Sequence, residues 1–115
     1  MTTVKKYDIK VRLWIEETEG PFLGIGKVWL LENIQKTGSI TNAAKEMKMA
    51  YRQAWQLVEE MNQRAESPLV EKVLGGKGGG GTKLTEAGEK AIQTFHEIEK
   101  RIKDFAQKET QNLKF

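Results

Sequence analysis

Residues 38–63 combine side chains that can read nucleic-acid bases with the periodicity of a helix. At about 100° per residue, one outer helix face collects Arg52, Gln56, Glu59 and Gln63, with Gln53 at its margin. In the major groove of DNA, Arg matches the two acceptors of guanine, and Gln matches the donor and acceptor of adenine. The pattern therefore predicts a helix that recognises base edges with one face and is buried on the other.

A shorter first helix is predicted before it, at 39–47, because Ala43 and Ala44 are small enough to let two helices approach closely. The residues predicted to face the core from the turn and the second helix are Met47, Met49, Ala54, Leu57, Val58 and Met61. Tyr51 and Trp55 lie beside this stripe on the helix wheel, so both are candidates for the core, and burial is favoured for Trp55. Two short helices packed in this way form a helix-turn-helix, predicted here over 39–63.

The composition suits a small binding domain. With 115 residues, of which 38% are hydrophobic and 30% charged, we predict a single domain over 1–115. The absence of cysteine excludes disulfides and thiolate metal sites and agrees with a reducing cytoplasm. No signal peptide or membrane-spanning segment is predicted, and no cofactor or metal site is indicated.

The basic excess is concentrated in the middle of the chain. Residues 24–83 hold nine Lys or Arg against six Asp or Glu, a difference of +3 that equals the net charge of the chain. Residues 1–23 are balanced at four of each sign, and residues 84–115 at six of each. An excess of this size also fits simple solvation of a surface. Its coincidence with the predicted helix-turn-helix favours attraction of a polyanion.

Alternation and turn signals predict the supporting elements. Asp8–Glu16 is typical of a half-buried strand, with Ile9, Val11, Leu13 and Ile15 on one face and Lys10, Arg12 and Trp14 on the other. A turn at Glu19-Gly20-Pro21 leads to a helix over Lys27–Lys36 that ends at Gly38. The residues of this helix predicted to face inward are Val28, Leu30, Leu31 and Ile34.

Residues 68–84 predict a β-hairpin, or wing, with a glycine-rich tip. Its strands are predicted at Pro68–Leu74 and Thr82–Leu84, joined by Gly75–Gly81. The glycines formally match a dinucleotide-binding pattern, but the 34 residues that follow are too few to complete that fold, and the phosphate-loop pattern is absent. A hairpin tip without side chains can approach a sugar–phosphate backbone closely, although an ordinary mobile loop is the alternative.

A long helix is predicted over 86–108, after Thr85 as its N-cap. Its apolar residues recur at the 3.5-residue spacing of a coiled coil and comprise Ala91, Phe95, Ile98, Ile102 and Phe105. Such a helix extends about 34 Å, which is more than a domain of this size needs for its own core. We therefore predict that this seam forms a homodimer interface, with folding back onto the chain's own body as the alternative.

Three groups of segments carry a family likeness: Leu30–Ile34 with Thr37–Ile40, Ala43-Ala44 with Met49–Trp55, and Glu60–Asn62 with Pro68–Glu71 and Gly75–Thr85. Together they resemble the N-terminal winged-helix domain of ModE-type molybdate-dependent transcriptional regulators, within the LysR-type helix-turn-helix class. The resemblance implies a mostly α winged helix-turn-helix with a small β-hairpin wing and a long C-terminal dimerisation helix. It also implies a DNA-binding homodimer that regulates transcription.

The sequence departs from that family at several points. The family's regulators continue into oxyanion-binding domains, whereas this sequence stops at Phe115, so we expect no oxyanion effector unless another protein supplies the sensor. Ala50 stands where the family usually has Ser, which removes a capping bond worth about 1 kcal/mol. Lys48 stands in the turn where relatives often have Gly, which predicts a strained or altered backbone.

The candidate DNA-binding residues are Ser39, Thr41, Ala50, Tyr51, Arg52, Gln53, Gln56, Lys72, Lys77 and Lys83. Arg52 and Gln56 are predicted to contact bases, with Gln53 as the next candidate. The hydroxyl groups and lysines are predicted to contact phosphates, which position a protein without specifying sequence. Ala50 belongs to the set as the start of the second helix.

Two other classes of function compete with a DNA-binding regulator. A winged helix can bind another polypeptide, and its marker would be an apolar outer face on the second helix. An enzyme is the weaker alternative, because the single histidine, His96, has no cysteine or nucleophile–base spacing to recruit it. His96 is predicted to be a solvated helix residue.

Overall fold

The computed structural model describes residues 6–76 and 79–115. Within these residues it has four helices and two antiparallel two-stranded sheets, in the order β1 (Trp14–Glu17), β2 (Gly20–Gly24), α1 (Ile25–Thr37), α2 (Ile40–Glu46), α3 (Tyr51–Arg64), β3 (Val70–Gly76), β4 (Gly79–Leu84) and α4 (Glu86–Gln111). Helices α2 and α3 form the helix-turn-helix, and β3 with β4 forms the wing. The predicted winged helix-turn-helix fold is confirmed.

Helix α1 lies at the centre of the core. Its inward side chains are completely inaccessible to solvent and are the four that were predicted, Val28, Leu30, Leu31 and Ile34. Gly38 ends the helix in the left-handed region, at φ 72°, where its N–H donates to Ile34 O over 2.8 Å. The buried residues contributed by α2 and α3 are Ala43, Ala44, Ala54, Val58 and Met61. Leu57, predicted to face the core, is only partly buried.

The predicted strand over Asp8–Glu16 is wrong in its first part. Only residues from Trp14 onward are extended in a sheet, where β1 pairs with β2 and Ile15 lies opposite Leu23. The turn predicted at Glu19-Gly20-Pro21 overlaps the start of β2, which begins at Gly20. A strand needs a hydrogen-bonded neighbour, and β2 is too short to extend the pairing toward Asp8.

Residues 6–13 form an arm that follows the C-terminal half of α4. The N–H of Ile9 donates to Thr110 Oγ1 over 3.1 Å, and the ring of Tyr7 meets that of Phe115 edge to face at a centroid distance of 5.1 Å. The arm therefore lies along a helix and its C-terminal end rather than in a sheet, a partner that alternation alone does not distinguish from a neighbouring strand.

The wing is fixed against the turn between α1 and α2 by close backbone contact. The N–H of Thr82 donates to Gly38 O over 2.9 Å. A Cβ placed on Gly81 would lie 2.6 Å from the same oxygen, so only glycine permits this approach. At the base of the wing, Asn62 Oδ1 accepts from the N–H of Leu69 over 2.8 Å, and Asn62 Nδ2 donates to Val70 O over 3.0 Å. These contacts set the distance between the wing and α3.

Helix α4 has 26 residues, so it continues three residues beyond the predicted end. Its N-cap is Thr85, as predicted, with Oγ1 accepting from the N–H of Gly88 over 3.0 Å. The first half of α4 packs against α1 and the core, and the second half carries the molecule to a length of 61 Å.

The predicted seam on α4 divides into two parts. Phe95 is fully buried in the chain's own core, and Ala91 packs against that core. The prediction that Phe95 is available to a second copy is therefore wrong, because α4 uses this stretch to cover its own domain. Ile98 and Ile102 are half-buried, and Phe105 is 65% exposed. The part of the seam that is open to a partner is the second half.

Candidate nucleic-acid interface

The outer face of α3 is polar and exposed. Arg52, Gln53 and Gln56 all lie on the solvent side of the helix, opposite the buried stripe that begins with Ala54. Among the described residues, none of the three is held by an ion pair or a side-chain hydrogen bond. Their donors and acceptors are therefore free to meet a ligand.

The turn before α3 has the altered backbone predicted from Lys48. This residue has a φ of 55°, in the left-handed region that is uncommon outside glycine, and its side chain is exposed. Ala50 precedes α3 in an extended conformation and gives it no side-chain cap, as expected for alanine at this position. Lys48 and Arg52 together leave the start of α3 positive, with neither side chain in an ion pair within the described part of the chain.

Ser39 has a structural role at the start of α2. Its Oγ accepts from the N–H of Asn42 over 3.1 Å, which makes Ser39 the N-cap, and the hydroxyl proton is still available to a phosphate. Thr41 lies exposed in the first turn of the same helix. Two of the predicted phosphate contacts are thus placed side by side.

A groove of about 460 Å³ separates α3 from the wing. Four of the predicted phosphate-contacting residues, Ser39, Thr41, Tyr51 and Lys72, line it. The predicted base-contacting residues Arg52 and Gln56 do not, because they project from the adjoining face of α3. The structure therefore divides the candidate residues between one helix face and one neighbouring groove.

The same groove is lined by residues that sequence reasoning did not assign to the site. Trp55 was predicted to be buried, yet 42% of it is exposed, and it faces the groove together with Tyr51, which is 53% exposed. Trp55 lies about 100° around the helix from the fully buried Ala54, at the border of the core rather than within it. That angle was a signal in the sequence that could have corrected the prediction. Val73 and Leu74 of β3 line the opposite wall.

The wing lysines differ from one another in their surroundings. Lys83 is not free, because its Nζ lies 3.5 Å from Glu71 Oε1, across the hairpin, where the two residues pair. Lys72 is exposed and forms no ion pair within the described residues. Lys77, predicted to contact phosphate from the tip, lies outside the described residues. Lys72 is therefore the described wing lysine that is available to an anion.

His96 lies on α4 with 40% of its side chain exposed, as predicted for a solvated helix residue, but it also lies between two carboxylates that the prediction did not include. Its Nε2 lies 3.1 Å from Glu32 Oε2 on α1, and its Nδ1 lies 3.4 Å from Glu99 Oε1 on α4. Partial burial lowers the pKa of His96, but the hydrogen bonds and charges of Glu32 and Glu99 outweigh it and raise the pKa above 6.5. The ring links α4 to α1 and lies outside the groove and the exposed face of α3.

Comparison with known families agrees with this geometry. The profile of bacterial regulatory helix-turn-helix proteins of the lysR family matches residues 27–89, which run from α1 through the wing into α4. The chain belongs to this family. The matched region contains both helices of the helix-turn-helix and every candidate DNA-binding residue.

Several relatives resemble the chain more closely. It is 40% identical over 91 residues to the transcriptional regulator ModE of Haemophilus influenzae, covering 79% of this chain and 36% of that protein. It is 45% identical over 83 residues to the molybdenum-pterin-binding protein MopB of Rhodobacter capsulatus, covering 72% and 31%. It is 45% identical over 69 residues to the DNA-binding transcriptional dual regulator ModE of Escherichia coli K12, covering 60% and 26%. The resemblance to ModE-type regulators is confirmed, and the chain spans about a third of the length of these relatives.

Neither a membrane-spanning helix nor a metal-binding cluster is present in the described part of the chain. No helix there is long and apolar enough to cross a membrane. No group of three or more His, Cys, Asp or Glu side chains in that part is placed to hold a metal ion.

Proposed function

We propose that this chain is the DNA-binding part of a transcriptional regulator and that it recognises a specific sequence of double-stranded DNA with α3. The observation that carries the proposal is the exposed face of α3 with Arg52 and Gln56. Since neither side chain has a partner among the described residues, neither must give up a protein contact to meet a base. Gln53 lies beside them and is the third candidate for base contact.

Residues around the groove would hold the phosphate backbone. Ser39, Thr41 and Tyr51 supply hydroxyl groups, and Lys72 supplies a positive charge from the wing. Ala50, whose side chain is a single methyl group, would let the backbone at the start of α3 come close to the DNA. Lys77 is part of the proposal as a contact from the tip, and Lys83 acts only where its pair with Glu71 opens.

A homodimer is the second part of the proposal. Helix α4 spans about 39 Å, and its second half presents Ile98, Ile102 and Phe105 beyond the chain's own core. A large exposed aromatic residue in line with two half-buried isoleucines fits a helix pairing with its twin. In such a dimer, the two α3 helices would meet half-sites one or more helical turns apart, about 34 Å or a multiple.

The first experiment selects bound fragments from a random pool of duplex DNA. The selected duplex is then titrated by fluorescence anisotropy at several salt concentrations against the wild type, Arg52→Ala and the control Arg12→Ala. Arg12 is exposed on the arm and forms no ion pair among the described residues, so its variant loses the same charge away from α3. We expect Arg52→Ala to weaken binding roughly 5- to 150-fold and to relax base preference at one position.

Three results would count against the proposal. The first is equal affinity of Arg52→Ala and wild type for the selected duplex. The second is a wild-type protein that binds no duplex but captures a polypeptide, which would favour the alternative of a protein-binding winged helix. The third result concerns the dimer and would be single half-sites among the selected fragments, together with a monomer in sedimentation.

If the homodimer is correct, the selected sites should be near-palindromic, and sedimentation should give twice the chain mass.

We propose no catalytic activity, cofactor or oxyanion effector for the described residues. A regulator of this kind acts where the bacterial chromosome lies, so we place it in the cytoplasm.

A further inference from the structure

The groove between α3 and the wing has walls that a purely polar DNA contact does not require. On the α3 side, Tyr51 and Trp55 are each about half exposed. On the wing side, Val73 is partly exposed, and Leu74 is 92% exposed. Large apolar side chains facing each other across an open groove favour an occupant that has apolar surface of its own.

The charges lining the groove are placed unevenly. Lys72 lines the wing side without an ion pair among the described residues, and Glu71 beside it is neutralised by Lys83. Glu59 lines the α3 side, and within the described part of the chain it has no ion pair. An anionic occupant would be attracted by Lys72 and repelled by Glu59.

The occupant can be argued from continuity with the exposed face of α3. Tyr51 is the first residue of α3 and directly precedes Arg52. A duplex that receives Arg52 in its major groove therefore brings one of its strands to the mouth of this groove. The deoxyribose of that strand offers apolar carbon surface, and its phosphates offer negative charge, which matches the walls and Lys72.

We propose that the groove receives the sugar–phosphate backbone of one DNA strand, with deoxyribose packed between the aromatic wall of Tyr51 and Trp55 and the apolar wall of Val73 and Leu74. This inference rests on the proposed DNA-binding function. It adds a contribution to affinity that comes from apolar contact and hence does not depend on salt. It also makes Glu59 a residue that weakens binding.

The test compares Trp55→Leu with Trp29→Leu, using the selected duplex and a duplex of scrambled sequence. Trp29 is a matched control, because it is 52% exposed on α1 and does not line the groove. We expect Trp55→Leu to weaken binding roughly 5- to 10-fold at every salt concentration, for both duplexes, with an unchanged slope of log K against log salt. Trp29→Leu should bind as the wild type does. Glu59→Gln should bind severalfold more tightly, most clearly at low salt.

A fluorescence measurement on a protein that retains Trp55 tests the inference even if Trp55→Leu misfolds. In Trp14→Phe with Trp29→Phe, Trp55 is the sole tryptophan, and its emission should change when the selected duplex is added. Unchanged emission during binding would overturn the inference, as would equal losses for Trp55→Leu and Trp29→Leu.

The two proposals fail in different ways. If no duplex binds the wild type, the DNA-binding function itself is wrong. If the duplex binds and Arg52→Ala weakens it while Trp55→Leu does not, only the groove assignment is wrong. An emission change caused by a peptide and not by the duplex would assign the groove to a protein and overturn the inference.

Discussion

Replacing Gly81 with alanine should displace the wing, because the hairpin depends on a contact that admits no side chain. The added Cβ would lie 2.6 Å from Gly38 O, where ordinary contact distances begin near 3.4 Å. The carbonyl cannot simply rotate away, since it accepts the N–H of Thr82 over 2.9 Å. Gly38 itself has a φ of 72°, which limits how far its backbone can adjust.

The magnitude follows from three contributions to the free energy of unfolding. Overpacking costs about 1 to 3 kcal/mol. Loss of the hydrogen bond between Thr82 and Gly38 costs about 1 kcal/mol more. Replacing a glycine in a strand returns roughly 0.5 to 1 kcal/mol by restricting the unfolded chain. The net expectation for Gly81→Ala is a destabilisation of about 1 to 3 kcal/mol.

Urea denaturation measures this change, and Gly75→Ala in the same wing is the matched control. A Cβ on Gly75 would meet nothing within 4 Å, so that variant should be as stable as the wild type or slightly more stable. The displaced wing of Gly81→Ala should also bind the selected duplex more weakly under conditions where the variant is folded. Equal stability of the two variants would refute the argument that the backbone approach of Gly38 and Gly81 sets the wing.

Two further predictions concern α4. Gly88→Ala should destabilise the protein by about 1 to 3 kcal/mol in urea denaturation, because its Cβ would clash with the backbone oxygen of Leu69. The control, Gly26→Ala in the first turn of α1, should be neutral or stabilising, because its Cβ would meet nothing within 4 Å. His96→Gln should remove more stability at about pH 5.5 than at about pH 9, since the pKa of His96 is raised in the folded state, protonation strengthens its two ion pairs, and this stability is lost as the pH rises through that pKa. Solvent screening keeps the effect within about 1 kcal/mol, and a stability difference between wild type and variant that is the same at both pH values would contradict it.

The elements with strong periodicity were predictable from the sequence. Helix α1 was predicted with its four buried residues and its glycine end, because apolar side chains at helical spacing have only one face to bury. The wing was predicted from strand residues that flank a glycine run. The position of the wing was not predictable, because it depends on contact between Gly38 and Gly81, which are distant in sequence.

The errors arose where a pattern fits more than one partner. Alternation in Asp8–Glu16 predicted a sheet face, but residues 6–13 contact α4 instead. Phe95 matched a coiled-coil seam, yet the seam and the domain core share that face of α4. Trp55 is large and apolar, and its type suggested burial, although its position on the helix wheel placed it at the border of the core. For the arm and for Phe95, the residue type was informative and the identity of the neighbour was not in the sequence. For Trp55, the helix wheel already held the signal.

The helix-turn-helix tolerates two unusual residues before α3, Lys48 and Ala50, because its turn does not depend on their side chains. The turn is closed by backbone bonds, in which the N–H of Lys48 donates to Lys45 O over 3.1 Å and that of Met49 donates to Ala44 O over 3.0 Å. Neither bond needs a side chain, so Lys48 needs only to reach a φ of 55° and Ala50 can do without a cap. Ala43 and Ala44 of α2 are buried with Ala54 of α3 in one hydrophobic core, which holds the two helices together. Since this burial involves only one side of α3, the exposed polar residues Arg52, Gln53 and Gln56 on the other side can be replaced while the fold is kept.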